Sequence, residues 1–131
     1  MTQVKVYKKS VSGNVKVANN FTVSEFACQD GSDVVFIDDL LVFILQNCRD
    51  HFGKPLIITS GYRTVSHNRN VGGASGSYHC LGMAADFYVQ GVAVSDIVKY
   101  LEVILPNTGG IGVGADYVHV DTRPVKSRWK Y

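Results

Sequence analysis

The strongest constraint in this chain is a single helical stripe. Ile37, Leu40, Leu41, Ile44, Leu45, Cys48 and Phe52 recur at spacings of three and four, which puts them on one face of an α-helix. Gly53-Lys54-Pro55 closes the stripe, because glycine accepts a left-handed cap and proline cannot continue the helix. Elsewhere the period shortens to two. Val4 and Val6, then Val15 and Val17, alternate with polar residues around Ser12-Gly13-Asn14 and predict a β-hairpin. Thr22-Val23-Ser24-Glu25 predicts a helix cap ahead of a short apolar turn at Phe26-Ala27. Leu56 to Thr59 reads as a buried strand, Ser60 to Thr64 as a turn, and Ala84 to Val89 as a further strand. Ser95 is the expected cap of a helix carrying Asp96, Ile97, Val98, Leu101 and Ile104. Gly109 to Gly114 and Tyr117 to Asp121 read as two final strands around a turn. The expected class is α+β, a small antiparallel sheet with flanking helices. At 131 residues it is expected to be one domain over 1–131.

Composition excludes several classes. With 46% hydrophobic and 18% charged residues the chain is not a disordered tail. Its longest apolar run, Leu40 to Leu45, falls far short of the roughly 20 residues a membrane span needs. A formal charge of +2 is too mild to argue for nucleic acid. Residues 1–9 alternate where a secretory signal would place an apolar core behind a basic start. The expectation is a protein made in the cytoplasm that reaches its target by another route, or a piece lacking its leader. The three cysteines are an odd number without CxxC spacing, so neither a disulfide framework nor a cysteine zinc ribbon follows. Cys48 belongs to the apolar stripe; Cys28 and Cys80 have no assignment from the sequence. The run Val71-Gly72-Gly73-Ala74-Ser75-Gly76 lacks the lysine of a phosphate loop. It reads as a loop that shapes a pocket.

Two of the four histidines stand in telling company. His79 lies in Ser77-Tyr78-His79-Cys80-Leu81-Gly82-Met83-Ala84-Ala85-Asp86, and His119 in Asp116-Tyr117-Val118-His119-Val120-Asp121. Imidazole and carboxylate are good zinc ligands, and three protein ligands leave one position open for water. Spacing alone does not separate such a set from coincidence.

The same residues carry a family likeness. Ser77-x-His79-x-x-Gly82-x-Ala84-x-Asp86, followed downstream by His119, resembles the zinc D-alanyl-D-alanine carboxypeptidases and related peptidoglycan peptidases. That group shares its fold with the hedgehog signalling domain and includes several phage endolysins. The likeness runs from about Phe21 to Trp129. It takes in Ser24-Glu25-Phe26, Ile58-Thr59-Ser60-Gly61-Tyr62-Arg63-Thr64, the Val71 to Ala74 loop and Val118 to Arg123. It implies one Zn²⁺ held by His79, Asp86 and His119, and an arginine, Arg63, facing the substrate. Asp116 takes the place of a Glu-x-x-His general base; the plain alternative is a turn aspartate. Asp121 follows the ligand histidine by two, on the same strand face, where it orients an imidazole, binds substrate or pairs with Arg123. Ser77, Tyr62 and Tyr78 are candidates to meet the substrate.

His51 reads as structural, near a helix C-terminus where a cation suits the dipole. His67 reads as a solvated helix-end residue, with a fourth zinc ligand as the alternative. Arg123, Lys126, Arg128 and Lys130 around Trp129 read as a closing strand with solvated charges. The resemblance implies hydrolysis of peptide bonds in peptidoglycan stem peptides, and the chain is expected to act as a monomer. D-Ala-D-Ala carboxypeptidase is the leading activity, and L-alanyl-D-glutamate endopeptidase of the endolysin type is the alternative. A silent, metal-stabilised wall-binding module is the competitor from another class.

Overall fold

The computed structural model describes residues 2–131. Its centre is a five-stranded sheet built from β5 (Leu56–Ser60), β6 (Ala84–Val89), β7 (Gly110–Val113), β8 (Val118–Asp121) and β9 (Ser127–Lys130), in the order β5-β6-β8-β7-β9. All pairings are antiparallel except β7 with β9 at one edge. Successive residues of a strand face opposite sides, so the registers sort this sheet into two faces. Ala85, Phe87, Ile111, Val118 and Val120 are buried on one of them. That face packs against α2 (Asp39–Phe52) and α4 (Val94–Ile104). The other face carries Asp86 opposite His119 and Ala84 opposite Asp121. The polar residues of β6 and β8 are therefore gathered on one side by the alternation that hides the apolar ones.

Two glycines keep that side open. Gly110 pairs with Asp121 and Gly112 with His119. A Cβ on Gly110 would meet the Asp121 carboxylate at 2.3 Å, and one on Gly112 the Trp129 indole at 2.6 Å. Their missing side chains are the room in which Asp121 and Trp129 sit. At the opposite edge a bulge between Ile58 and Ser60 shifts the register by one. Ser60 thereby pairs with Asp86 on the polar face rather than pointing into the core.

The N-terminal third departs from its sequence reading. No hairpin joins the early valines. β1 (Val4–Lys8) pairs instead with β4 (Val34–Asp38), and Lys9–Ser12 forms the short helix α1. Asp33 decides this, accepting hydrogen bonds from the Ser10 N–H and hydroxyl at 2.7 and 2.9 Å. Of the later valines only Val17 lies in a strand, β2 (Lys16–Ala18), which pairs with β3 (Phe21–Thr22). Thr22 precedes a 3-10 turn over Val23–Phe26 without capping it through its side chain.

Ile37 shares the helical stripe by spacing but lies in β4; α2 begins two residues later. Asp38 sets that start. Its buried carboxylate accepts from the Leu40 and Gln3 N–H groups and, at 2.6 Å, from the Thr122 hydroxyl. Gly53 ends α2 in the left-handed conformation, as expected. Helix α4 is preceded by Ala93, with no side-chain cap, so Ser95 lies inside its first turn. The C-terminal basic group does form a closing strand, β9, but Arg128 is not solvated. It binds Glu102 at 2.9 Å and the Gly109 carbonyl at 2.6 Å, tying β9 to α4 and the β7 entry. Among the described residues no helix is long and apolar enough to cross a membrane.

Candidate metal centre

Three segments deliver His79, Asp86 and His119 to one point. His79 sits in a 3-10 turn, Tyr78–Leu81, whose start is capped by the Ser77 hydroxyl accepting from the His79 N–H at 3.2 Å. Gly82 ends the turn in the left-handed region and lets the chain enter β6. Asp86 and His119 arrive by strand register. One ligand atom from each of the three residues lies within 4.8 Å of the others.

The neighbours of each imidazole decide which nitrogen is free. The His79 Nδ1 lies 2.7 Å from the Gly61 carbonyl, which only accepts, so Nδ1 carries the proton and donates it. Its Nε2 then turns a lone pair toward Asp86 Oδ1, 3.3 Å away. The His119 Nε2 lies 2.7 Å from Asp121 Oδ2, and its Nδ1 lies 2.9 Å from the same Asp86 Oδ1. With Nε2–H donating to Asp121, Nδ1 faces the common point. Ligand histidines are oriented this way by a carbonyl or carboxylate on the other nitrogen.

The electrostatics follow from the same contacts. Burial opposes charge on Asp86, but the adjoining His119 and His79 imidazoles outweigh it and hold its carboxyl well below the usual range. Asp121 behaves alike, with His119 and Arg123 overcoming burial. Burial also opposes a proton on His119, and the hydrogen bonds to Asp121 and Asp86 outweigh it and raise its pKa. The centre is thus a site prepared for positive charge. Two imidazole nitrogens and one carboxylate oxygen suit Zn²⁺, whereas Ca²⁺ and Mg²⁺ favour all-oxygen shells.

A cavity of about 640 Å³ opens over this point. The Val71 to Gly76 loop forms one wall, as its glycine content predicts, and Tyr117, Trp129 and Tyr131 form another. Arg63 stands between them with 15% of its side chain exposed. It donates to Ser60 Oγ at 3.0 Å, Asn68 Oδ1 at 3.2 Å and Asp86 Oδ2 at 3.3 Å. Arg123 lies 4.7 Å from the Tyr78 ring centroid and 5.0 Å from that of Trp129, paired through two nitrogens with Asp121.

The remaining candidates divide. Ser77 and Tyr78 line the cavity, whereas Asp121 is fully buried beneath it and acts through His119 and Arg123. Tyr62 does not line it; its ring packs against Phe36 at 4.9 Å. Asp116 occupies an adjoining depression with Thr59 and Tyr88, separated from the centre by Tyr117, which borders both. His51 stacks on Tyr100 at 3.8 Å, far from the site. His67 lies apart from His79, Asp86 and His119 and groups instead with Cys28 and Asp30. Cys48 lies in the core, where burial pushes its thiol up to about 12. Asn68 was missed in the sequence. It is buried, accepts from Arg63 and donates to the Ala74 carbonyl at 3.0 Å, joining the arginine to the glycine loop. Only the folded loop shows that role, since a lone asparagine in sequence reads as a turn residue.

The Peptidase M15 family model matches residues 19–121. The peptidoglycan L,D-endopeptidase MepK of Escherichia coli (strain K12) is 38% identical over 80 residues, covering 56% of this chain and 43% of that protein. A probable peptidoglycan L,D-endopeptidase MepK of Haemophilus influenzae is 35% identical over 80 residues, 56% of this chain and 41% of its own length. The zinc D-Ala-D-Ala carboxypeptidase of Streptomyces albus G is 51% identical over 43 residues, 32% of this chain and 17% of that protein. The chain thus spans less than half the length of the curated relatives it matches.

Proposed function

Because this chain belongs to the peptidase M15 family, we propose that it hydrolyses amide bonds in peptidoglycan stem peptides, using one zinc ion held by His79, Asp86 and His119. The observation that carries this reading is the convergence of those three ligands, with their free nitrogens aimed at one point, on the floor of a cavity that Arg63 also lines. When bound, zinc supplies a Lewis acid that polarises an amide carbonyl and acidifies water.

The protein's own groups supply the rest. Asp121 and the Gly61 carbonyl hold the two imidazoles in the ligating tautomer. Arg63, fixed by Ser60 and Asn68, presents a permanent cation where negative charge develops on the scissile carbonyl oxygen. Asp116, exposed on the β7–β8 turn, is the proposed acceptor of the water proton on its motif position three before His119, although Tyr117 stands between its depression and the cavity. Ser77 and Tyr78 stand at the cavity wall as groups to meet the peptide.

For the bond cleaved we favour the L,D-endopeptidase activity, because the likeness to MepK extends over 80 residues against 43 for the carboxypeptidase. The carboxypeptidase reading keeps the higher local identity, 51%. Digestion of purified sacculi by the zinc-loaded protein, read by mass spectrometry of the muropeptides, separates the two. Cleavage at an internal L,D bond supports the first and loss of one terminal alanine the second. Binding without cleavage of any amide makes the protein a wall-binding module instead.

A further inference from the structure

A second donor triad lies apart from the cavity. Cys28, Asp30 and His67 each offer a ligand atom within 4.8 Å of the other two, and none of them lines the cavity over His79. Cys28 and Asp30 belong to the loop after the Val23–Phe26 turn, and His67 to α3 (Val65–Asn70).

The state of the two buried thiols differs. Cys48 is packed in the apolar core. Cys28 is only 3% exposed, and its sulfur lies within 4.8 Å of a ligand atom of Asp30 and of His67. A buried sulfur beside a carboxylate and an imidazole has donors of two other ligand types within reach, which a thiol packed only among apolar side chains, such as Cys48, lacks.

The carboxylate is also held in place. Thr64 Oγ1 donates to Asp30 Oδ2 at 2.7 Å, and the Ser32 N–H to Asp30 Oδ1 at 2.9 Å. The same Thr64 oxygen accepts from the His67 N–H at 3.1 Å. One hydroxyl therefore positions the segments bearing two of the three donors. Each Asp30 oxygen keeps a lone pair for a further partner.

We propose that Cys28, Asp30 and His67 form a second metal site, taking a thiophilic divalent ion of the zinc type. A thiolate in the set selects against Ca²⁺ and Mg²⁺, and three protein donors leave one position for water. The ion clamps the Cys28–Asp30 loop to the start of α3. Between the two lies the segment that carries Arg63: the Tyr62 N–H donates to the Phe26 carbonyl at 2.8 Å, and the Arg63 N–H to the His79 carbonyl at 3.0 Å. The clamp is thus a positioning device for Arg63. It stands on its own donors and does not rest on the hydrolase reading.

Cobalt titration of the reduced, metal-stripped full chain tests it. The centre at His79, Asp86 and His119 contains no sulfur, so a near-ultraviolet thiolate-to-cobalt charge-transfer band reports the second site alone. Elemental analysis is expected to give two bound ions for the wild type, with the band present. His79→Ala should keep the band and lose one ion; Cys28→Ser should lose the band and keep the other ion. His67→Ala, at a partly exposed position, should weaken the band without disturbing the fold. The proposal is overturned by a wild type that shows no band at saturating cobalt. It is equally overturned by a band that survives Cys28→Ser, or by a single ion that disappears in His79→Ala. Failure of the catalytic reading looks different, since His79→Ala would then leave the number of ions unchanged.

Discussion

The two donor triads of this protein are built by opposite means. His79, Asp86 and His119 are gathered by sheet register, with Asp86 and His119 paired across β6 and β8 although 33 positions apart. Every ligand there is mostly buried, and the free nitrogen of each histidine is fixed by a group behind it. Cys28, Asp30 and His67 are gathered by a loop and a one-turn helix start, with an exposed carboxylate and a partly exposed imidazole. Sheet pairing makes a stiff site, because the backbone register sets the ligand spacing. A loop-built site depends on a few local hydrogen bonds, here those of Thr64, and gains more order from the ion it takes.

The largest test of this contrast removes a ligand from the stiff site. His79→Ala is expected to abolish hydrolysis of muropeptides and zinc at the first triad, leaving the second intact; equal loss at both sites, seen by elemental analysis, would join what the fold separates. Asp116→Asn comes next. It should lower kcat by roughly 10²–10⁴-fold, the range for a lost general base, with metal content unchanged at either triad. An unaltered rate would return Asp116 to the turn residue it resembles.

Support residues then sharpen the comparison. Asp121→Asn weakens the group behind His119 and is expected to reduce zinc affinity at the first triad by about 10–100-fold, measured by competition with a chromophoric chelator. Gly112→Ala puts a Cβ into the Trp129 indole and should destabilise the fold by about 1–3 kcal/mol, read as a drop in the denaturation midpoint. The smallest effect is at the loop-built site. Thr64→Ala removes the cap of α3 and the donor to Asp30, costing about 1 kcal/mol while zinc at His79 stays unchanged.

Much of the first triad was legible. His79 and Asp86 are separated by a glycine turn and the first two residues of β6, an interval short enough for the motif to survive as a sequence signature. The second triad left no such trace. Cys28 and His67 are 39 positions apart, and neither has a local pattern that distinguishes a ligand from a core thiol or a helix-end histidine. The hairpin expected from Val4 to Val17 failed for a related reason. Alternation tells which residues share a strand face but not which strand comes to pair, and Asp33 settled that from outside the window.

By itself the sequence determined the long helix and its glycine stop, the β6 and β8 segments, the pocket-shaping loop and the candidate zinc ligands. These are properties of period, punctuation and local motif, which act over a few residues. Tertiary structure alone decided the partner of β1 and the bulge that turns Ser60 toward Asp86. It also placed Asn68 behind Arg63, brought β9 in parallel beside β7, and set Cys28 beside Asp30 and His67. Each of these depends on which distant surfaces bury one another and which polar groups must then find partners. That accounting closes only when the whole chain has folded.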